Sequence, residues 1–342
     1  MRFESWIIDA YLDGLLPVPG PAVQVLLTAY MQAYYWIEPF IGRGLTTIPP
    51  ESEEIAARSR ELMETHYNMP LAMFASFLGR SMKYSTALWE AGVRSLDEAQ
   101  QAMLADVCAK ADLRDGQRIL DIGCGFGSFA AHALRRYPRV RVVGLTLSDV
   151  QYRYIAGKQG EPGHPLHGDR FRVIKEDFAQ SRFDHPFDRV VSIGVFEHVS
   201  NLRLALEKIA GFLKPDGTAL LHFIAYRRII EAIANMDAPP GFIGRYIFPG
   251  GRLWPYNELF RYQQHLQIER AWFLNGNHYL RTLEAWRDNF WRNMGRIRVH
   301  PDLEERFVRV WDLYLRFCIA VFRGLHGSNV GNGQYRLRHA GA

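Results

Sequence analysis

The stretch Leu120-Asp121-Ile122-Gly123-Cys124-Gly125-Phe126-Gly127 decides the fold class. Its three glycines follow an apolar run with strand character and precede a helical pattern. Such a turn lets backbone N–H groups approach a ligand at the positive end of a helix. A bare turn and a dinucleotide site are the other interpretations of a glycine-rich turn. The spacing lacks the second half of a dinucleotide motif, and Asp121 adds a carboxylate that can meet an ammonium group.

Short β-rich runs alternate with helical stretches around this turn. The predicted strands are 118–122, 140–145, 172–174, 188–193, 218–224, 267–273 and 334–338, and the predicted helices of the core lie near 127–137, 149–158 and 202–213. A long helical stretch is predicted over 283–325. Because parallel strands need crossover helices, the alternation predicts an α/β fold with a doubly wound, mostly parallel sheet.

The pattern changes along the chain and predicts four segments. These are a helical cap over residues 1–90, a ligand-binding α/β core over 91–225, a helical insertion over 226–266 and completing strands and helices over 267–342. In the cap, the apolar run 22–37 is shorter than the about 20 residues that span a bilayer. It therefore predicts a buried or membrane-surface helix, followed by a second helix over about 50–78.

Composition narrows the class of protein. The chain has 342 residues, a formal net charge of +5 and three widely spaced cysteines. These cysteines form neither a disulfide framework nor a metal motif, so we expect a cytoplasmic protein without a metal site. The mild positive charge suits an acidic cofactor or an anionic membrane surface. No basic block or aromatic-basic repeat indicates nucleic-acid binding.

Several separate motifs share an order and spacing with one enzyme branch. Besides the glycine turn they are Met82-Lys83-Tyr84-Ser85, Gly144-Leu145-Thr146-Leu147-Ser148 with Gln151, Phe196-Glu197-His198-Val199, Phe248-Pro249-Gly250-Gly251 and His278-Tyr279-x-Arg281-Thr282-x-x-x-Trp286. From about Tyr67 onward the chain resembles class I S-adenosylmethionine-dependent methyltransferases, and within them the branch of cyclopropane-fatty-acid synthases and coclaurine N-methyltransferases. The resemblance implies a seven-stranded methyltransferase sheet, with S-adenosylmethionine bound by the core and the acceptor bound at the insertion after the fifth strand.

The resemblance also implies a set of cofactor-binding residues. They are Tyr84, Ser85, Asp121, Gly123, Gly125, Thr146, Ser148, Gln151, Asp177 and Phe178. Thr146, Ser148 and Gln151 would replace the acidic residue that other methyltransferases direct at the ribose hydroxyls. Asp177 would accept from the adenine amine, and Phe178 would stack on the adenine ring. A helix cap is the other interpretation of Thr146 and Ser148, and a solvated loop acid that of Asp177.

Four residues are implied for catalysis. In cyclopropane synthases a Glu, a His on the fifth strand and a Tyr near the C-terminal helix hold a bicarbonate ion that serves as general base. Their counterparts are Glu197, His222 and Tyr279, with the backbone of Ile224 placed to contribute. The cysteine that usually follows Tyr-Ser is Thr86 here. If the enzyme methylates an amine instead, Glu197 or His198 would accept its proton or orient its lone pair.

The sequence leaves the methyl acceptor open. The form His66-Tyr67-Asn68-Met69-Pro70 is similar to plant alkaloid N-methyltransferases, whereas Gly194 and Tyr279 depart from those enzymes. The alternatives are an unsaturated fatty acyl lipid, a small amine and an inactive cofactor-binding or lipid-binding relative. Peripheral membrane contact and a homodimer stay open as well. The insertion aromatics Trp254, Tyr256, Phe260 and Tyr262 are either ordinary packing or the wall of an acceptor site.

Overall fold

A computed structural model describes residues 3–41, 52–227, 241–298, 300 and 303–341. Its strands are β1 (Arg118–Ile122), β2 (Arg141–Thr146), β3 (Phe171–Lys175), β4 (Phe187–Ile193), β5 (Leu213–Tyr226), β6 (Trp254–Pro255), β7 (Leu266–Leu274) and β8 (Val330–His339). The sheet has the order β3-β2-β1-β4-β5-β8-β7, with the two-residue β6 paired to β5. β1 to β5 are parallel, and β8 is antiparallel to both β5 and β7. The predicted fold class is confirmed.

Helices surround this sheet on both faces. The described α-helices are α1 (Phe3–Leu12), α2 (Gly20–Ile41), α3 (Ser59–Leu62), α4 (Leu71–Phe77), α5 (Leu96–Lys110), α6 (Ser128–Arg136), α7 (Asp149–Gln159), α8 (Leu202–Phe212), α9 (Phe242–Tyr246), α10 (Asn277–Arg292), α11 (Met294–Arg298) and α12 (Glu305–Arg323). α5 begins at a capping box in which Ser95 and Glu98 bond each other's backbone. Such a box satisfies two N–H groups that the helix itself leaves unpaired.

The order of the strands positions the functional site. β1 lies between β2 and β4, and its side chains from Ile119 onward are buried. Thr146 ends β2, Glu176 follows β3 and Gly194 follows β4. All three lie at the edge of the sheet where the glycine turn leaves β1. Ligands of doubly wound sheets bind at this carboxyl edge.

Two predicted helices are divided in the structure. The described part of the predicted helix 50–78 consists of α3, a π-helical turn (Met63–Tyr67) and α4. Pro70 lacks an N–H group and disfavours helical backbone at the residue before it, so α4 starts afresh after Pro70. The predicted helix 283–325 consists of α10, α11 and α12. Asn293 ends α10 and donates to the carbonyl oxygens of Ser76 and Asn289, at 2.7 and 3.1 Å.

The insertion after β5 is only partly described. Residues 228–240, which the sequence assigns to a helical segment, lie outside the described residues. The following part contains α9, β6 and a 3-10 turn (Glu258–Arg261).

α2 packs one face against α12 and exposes the other. Tyr35 donates to the carbonyl oxygen of Val321 at 2.8 Å, and its ring lies where a Cβ at position 324 would collide with it, so Gly324 is required there. On the opposite face, the exposed side chains within the described part of α2 are apolar, among them Val25, Leu26, Tyr30, Trp36 and Ile37. The run 22–37 is therefore half-buried, and its contact with a membrane surface stays a prediction. None of the described helices is long and apolar enough to cross a membrane.

Candidate active site

The glycine turn has a backbone that only glycine adopts without strain. Gly123, Gly125 and Gly127 have φ of +68°, +57° and +78°, in the left-handed region. A Cβ at Gly123 would also collide with the Val195 side chain. The turn is tied to the neighbouring strand by a hydrogen bond from the Cys124 N–H to the Leu145 carbonyl, 2.8 Å long. Its bare backbone can therefore approach a ligand closely.

A cleft with about 1100 Å³ of empty space opens over this turn. Nine of the ten predicted cofactor-binding residues line it, namely Tyr84, Ser85, Asp121, Gly123, Gly125, Thr146, Gln151, Asp177 and Phe178. The fold thus brings together residues from four separate stretches of the chain at this cleft. Their roles toward a cofactor stay predictions.

Ser148 lies outside this lining. Its hydroxyl accepts from the Gln151 N–H at the start of α7 and donates to the Tyr67 carbonyl at 2.8 Å, so it has the contacts of a helix cap. Thr146 donates to Gln151 Oε1 at 2.7 Å. Because the amide oxygen of Gln151 is used in this way, its amide nitrogen would supply the donors if a ligand is bound here.

Asp121 is a buried acid with an unsatisfied oxygen. It is 2% exposed, and its Oδ2 has no hydrogen-bond partner among the described residues. Burial raises the pKa of this carboxyl to about 8. A ligand ammonium group would supply the missing donors and favour the charged form. The acid and the glycine turn therefore fit the methionine end of S-adenosylmethionine.

Glu197 accepts a hydrogen bond from a backbone N–H group of β5. Gly194 N–H still bonds to the His222 carbonyl, but the chain then leaves β4, and the N–H of Ile224 donates instead to Glu197 Oε1 at 2.8 Å. The Ile224 N–H thus donates to Glu197, and a contribution of the Ile224 backbone to a bound ion stays a prediction. Burial raises the pKa of Glu197 to about 7, while Oε2 has no partner in the described chain.

Hydrogen bonds determine which nitrogen of His222 carries the proton. The Lys110 ammonium can only donate, so its 2.5 Å contact fixes the amide oxygen of Gln334, and the Gln334 Nε2 donates to His222 Nδ1 at 2.9 Å. Nδ1 is therefore an acceptor, and Nε2 carries the hydrogen. Burial, with the charges of Lys83 and Lys110, lowers the pKa of His222 well below its usual range. His222 Nε2 has no partner among the described residues and offers a neutral N–H donor.

A group of aromatic and histidine side chains separates the cleft from the interior behind it. Tyr67 Oη and His198 Nε2 share a 2.9 Å hydrogen bond, and His66 Nε2 lies 2.7 Å from Tyr84 Oη. The Phe248 ring lies 4.2 Å from His66 and 5.3 Å from His198, measured between ring centres. Burial lowers the pKa of His198 to about 4, so this imidazole is neutral at physiological pH. The sequence motifs contained these residues, but only pairing across the fold reveals the contacts of Tyr67.

A second, apolar cavity with about 1000 Å³ of empty space lies behind this group. Its lining comes from α2, the insertion, α10, α12 and the end of β5: Tyr30, Met31, Tyr34, Ile224, Gly241, Phe242, Ile243, Phe248, Leu253, Tyr279, Leu283, Tyr314, Phe317, Cys318, Val321 and Phe322. No Asp, Glu, Lys or Arg of the described chain is among these residues. Tyr279 stacks on Phe322, with the ring centres 4.4 Å apart. Burial and the nearby Glu197 carboxylate raise the pKa of Tyr279 well above its usual range.

The four insertion aromatics lie away from this cavity. Trp254 is buried and donates to the Phe196 carbonyl, Tyr256 packs on Tyr335, and Phe260 is 45% exposed. Tyr262 packs against the apolar cluster around β4 and β5. Ordinary packing therefore describes Trp254, Tyr256 and Tyr262, whereas Phe260 is exposed.

Chemically, the described residues offer acid–base and hydrogen-bonding groups. They contain no cluster of three or more His, Cys, Asp or Glu side chains that could hold a metal ion.

The fold and the cleft over a glycine turn define the class I methyltransferase architecture. Coclaurine N-methyltransferase, solved with N-methylheliamine and SAH, has the same fold at a TM-score of 0.86 and 22% identity, covering 98% of this chain and 100% of that one. The mycolic acid cyclopropane synthase CmaA1, solved with SAH and CTAB, matches at a TM-score of 0.70 and 29% identity, covering 82% of this chain and 98% of that one.

The family described as mycolic acid cyclopropane synthetase matches residues 55–328, and the chain belongs to this family of methyltransferases. Cyclopropane-fatty-acyl-phospholipid synthase of Escherichia coli is 33% identical over 260 residues, 75% of this chain and 63% of that protein. Probable (S)-tetrahydroprotoberberine N-methyltransferase 2 of Papaver bracteatum is 31% identical over 234 residues, 68% of this chain and 64% of that protein. The matched part of the chain thus spans less than two thirds of these two relatives.

Proposed function

We propose that the protein transfers the methyl group of S-adenosylmethionine to a double-bond carbon of an unsaturated fatty acyl chain. The observation that carries this proposal is the apolar cavity next to Glu197 and Tyr279. An acyl chain is apolar along its length, and a cavity without charged lining residues suits it better than a charged amine. The Escherichia coli relative, a fatty-acyl-phospholipid synthase, supports the same substrate class.

The chain's own residues have three tasks in this reaction. S-adenosylmethionine, when bound, supplies a sulfonium-activated methyl group. An alkene is a weak nucleophile, so Phe248 and the apolar lining would align it and exclude water from the cationic carbon that forms. A buried acceptor must then remove a proton, and the Glu197 carboxylate contacts the cavity lining through its hydrogen bond from Ile224.

Bicarbonate fits the polar groups at this point. Glu197 Oε2 and His222 Nε2 are both buried and unpartnered in the described chain, and Tyr279 lies within electrostatic range of Glu197. A neutral His222 N–H and the Tyr279 hydroxyl would donate to the ion, which Glu197 in its protonated form can also do. Bicarbonate held there would supply a proton acceptor.

The exposed apolar face of α2 supports entry of the acceptor from a lipid surface. Tyr30 is 55% exposed on this face and also lines the cavity. A bilayer in contact with α2 would therefore meet the cavity lining at Tyr30. Binding of this kind is peripheral, because the helix would lie on the surface.

A second candidate is N-methylation of a small amine. The Tyr67–His198 pair favours it, because a neutral imidazole at the boundary of the two cavities can take a proton from an ammonium group. The Papaver bracteatum relative carries an N-methyltransferase name. An inactive cofactor-binding relative would bind S-adenosylmethionine and methylate neither class.

The deciding experiment uses S-adenosylmethionine with a trideuterated methyl group. The protein is incubated with unsaturated phospholipid vesicles and, separately, with a mixture of small amines, and products are identified by mass spectrometry. A cyclopropane lipid retains two of the three deuterons, because one is lost in ring closure, whereas an N-methyl product retains all three. Product from amines alone would reject the lipid proposal. Glu197→Gln is the control for background transfer.

A further inference from the structure

Lys83 is a buried lysine without a carboxylate partner in the described chain. Its side chain is 1% exposed, and its ammonium donates to Ser85 Oγ at 2.6 Å and to the Thr86 carbonyl at 2.5 Å. Lys110 is different, because it forms a 2.8 Å ion pair with Asp106. Burial lowers the pKa of Lys83 to about 7. A buried ammonium held only by neutral oxygens is costly unless an anion reaches it.

Asp121 is a buried acid in the same cleft, as Lys83 is a buried base. It is a buried carboxyl with an unsatisfied oxygen, and burial alone shifts its pKa, as it does for Lys83. Both side chains line the cleft over the glycine turn. Two lone charges of opposite sign in one cleft match a ligand that is itself a zwitterion. The amino-acid end of S-adenosylmethionine carries one ammonium and one carboxylate group.

We propose that Lys83, acting with the Ser85 hydroxyl, is the countercharge for the carboxylate of the cofactor's amino-acid end, while Asp121 receives its ammonium group. This inference rests on the proposed function, since it takes the cleft as the cofactor site. The Lys83 ammonium donates to Ser85 Oγ, so the Ser85 hydroxyl hydrogen is left to point at another acceptor. Lys83 is a positioning residue, which orients the methionine end between two opposite charges.

The test compares a ligand that has the amino-acid carboxylate with two ligands that lack it. Isothermal titration calorimetry measures binding of S-adenosylhomocysteine, its decarboxylated analogue and 5′-methylthioadenosine, which lacks the amino-acid end. The proteins are wild type, Lys83→Met, Lys83→Gln and the matched control Lys110→Met, each checked for folding by thermal unfolding. We expect both Lys83 variants to lose about 10- to 150-fold in affinity for S-adenosylhomocysteine. Their affinity for the other two ligands, and the affinities of Lys110→Met, should change less than about threefold.

The remaining outcomes separate this inference from the proposed function. Equal loss of all three ligands in both Lys83 variants would assign Lys83 a purely structural role and overturn the inference. Unchanged binding of S-adenosylhomocysteine, with lost bicarbonate dependence of turnover, would overturn it in favour of bicarbonate as the anion at Lys83. Both results leave the proposed function intact. Wild-type protein that binds neither S-adenosylhomocysteine nor S-adenosylmethionine would instead reject the proposed function itself.

Discussion

Glu197 connects the cofactor cleft to the apolar cavity, since it precedes His198 of the cleft lining and accepts from Ile224 of the cavity lining, but the two regions are built in different ways. The cleft is lined mainly by loops that follow consecutive parallel strands, together with Lys83, Tyr84 and Ser85. The cavity is lined by helices that are remote in sequence, chiefly α2, α10 and α12. Buried polar groups without partners lie on the cleft side, whereas the cavity side offers shape and an apolar surface. The difference is consistent with the proposal that one region binds the cofactor and the other an apolar acyl chain.

The largest expected effect comes from Glu197, at the boundary between the two regions. We expect Glu197→Gln to lower kcat by about 100- to 10,000-fold, because an amide cannot accept the proton or support the ion that does. The affinity for S-adenosylhomocysteine should stay within about threefold of wild type by calorimetry. The exposed Glu207→Gln is the control. A matching loss of cofactor affinity would mean that the two regions do not act separately.

Asp121 tests the cleft side alone. Asp121→Ala should weaken binding of S-adenosylmethionine by about 10- to 150-fold, since a charged buried hydrogen bond contributes about 1.5–3 kcal/mol. Calorimetry measures this loss. Unchanged affinity in a folded variant, or selective binding of a nicotinamide dinucleotide by wild type, would contradict the cofactor assignment.

Leu283 tests the cavity side alone. Leu283→Trp fills part of the cavity, so we expect kcat/KM for an unsaturated acyl lipid to fall about tenfold, the equivalent of about 1.4 kcal/mol. Cofactor affinity should not change. The volume-conserving Leu283→Met is the control and should keep kcat/KM within about threefold. Equal kcat/KM for Leu283→Trp and wild type would place the acceptor elsewhere.

Tyr279 distinguishes carbon from nitrogen as the acceptor atom. Under the lipid proposal, Tyr279→Phe should lower turnover about 2- to 10-fold through loss of one hydrogen bond. Depletion of bicarbonate should lower the wild-type rate, and its return should restore it. The amine candidate would be favoured if turnover does not depend on bicarbonate and the Tyr279→Phe variant is fully active.

The smallest expected effect concerns the stability of the cofactor-free protein. The pKa of Asp121 is raised to about 8 and that of Glu197 to about 7, so these two carboxyls hold more protons in the folded state than in the unfolded state between about pH 4 and 8. Their contribution to stability therefore falls as pH rises through this window, by on the order of a few kcal/mol. The lowered pKa values of His198, His222 and Lys83 act in the opposite direction, so the carboxyls are tested against a double variant, Asp121→Asn with Glu197→Gln. Urea unfolding at pH 5.5 and 8.5 should show that the rise in pH lowers the stability of wild type relative to that of the double variant.

The sequence predicts the cleft far better than the cavity. Seven main strands and nine of the ten cofactor residues that line the cleft follow from short local motifs, because the residues after each parallel strand meet at one edge. The cavity has no such local signal, since Leu283 and Val321 look like ordinary core residues of amphipathic helices. For the same reason Trp254 was a candidate wall residue although it packs in the core. Hydrogen-bond partners such as Tyr67 for His198, 131 residues apart, also need the folded chain.

The contact between α2 and α12 has a consequence for redesign of this enzyme. Tyr35 bonds to Val321 and fills the space that a side chain at Gly324 would occupy. A chimaera that takes only one of these helices from a relative would pair mismatched surfaces. A chimaera that takes both keeps the hydrogen bond and the packing between them. Under the lipid proposal, a change of acceptor therefore requires that both helices be transferred together, while the central segment that carries the glycine turn is retained.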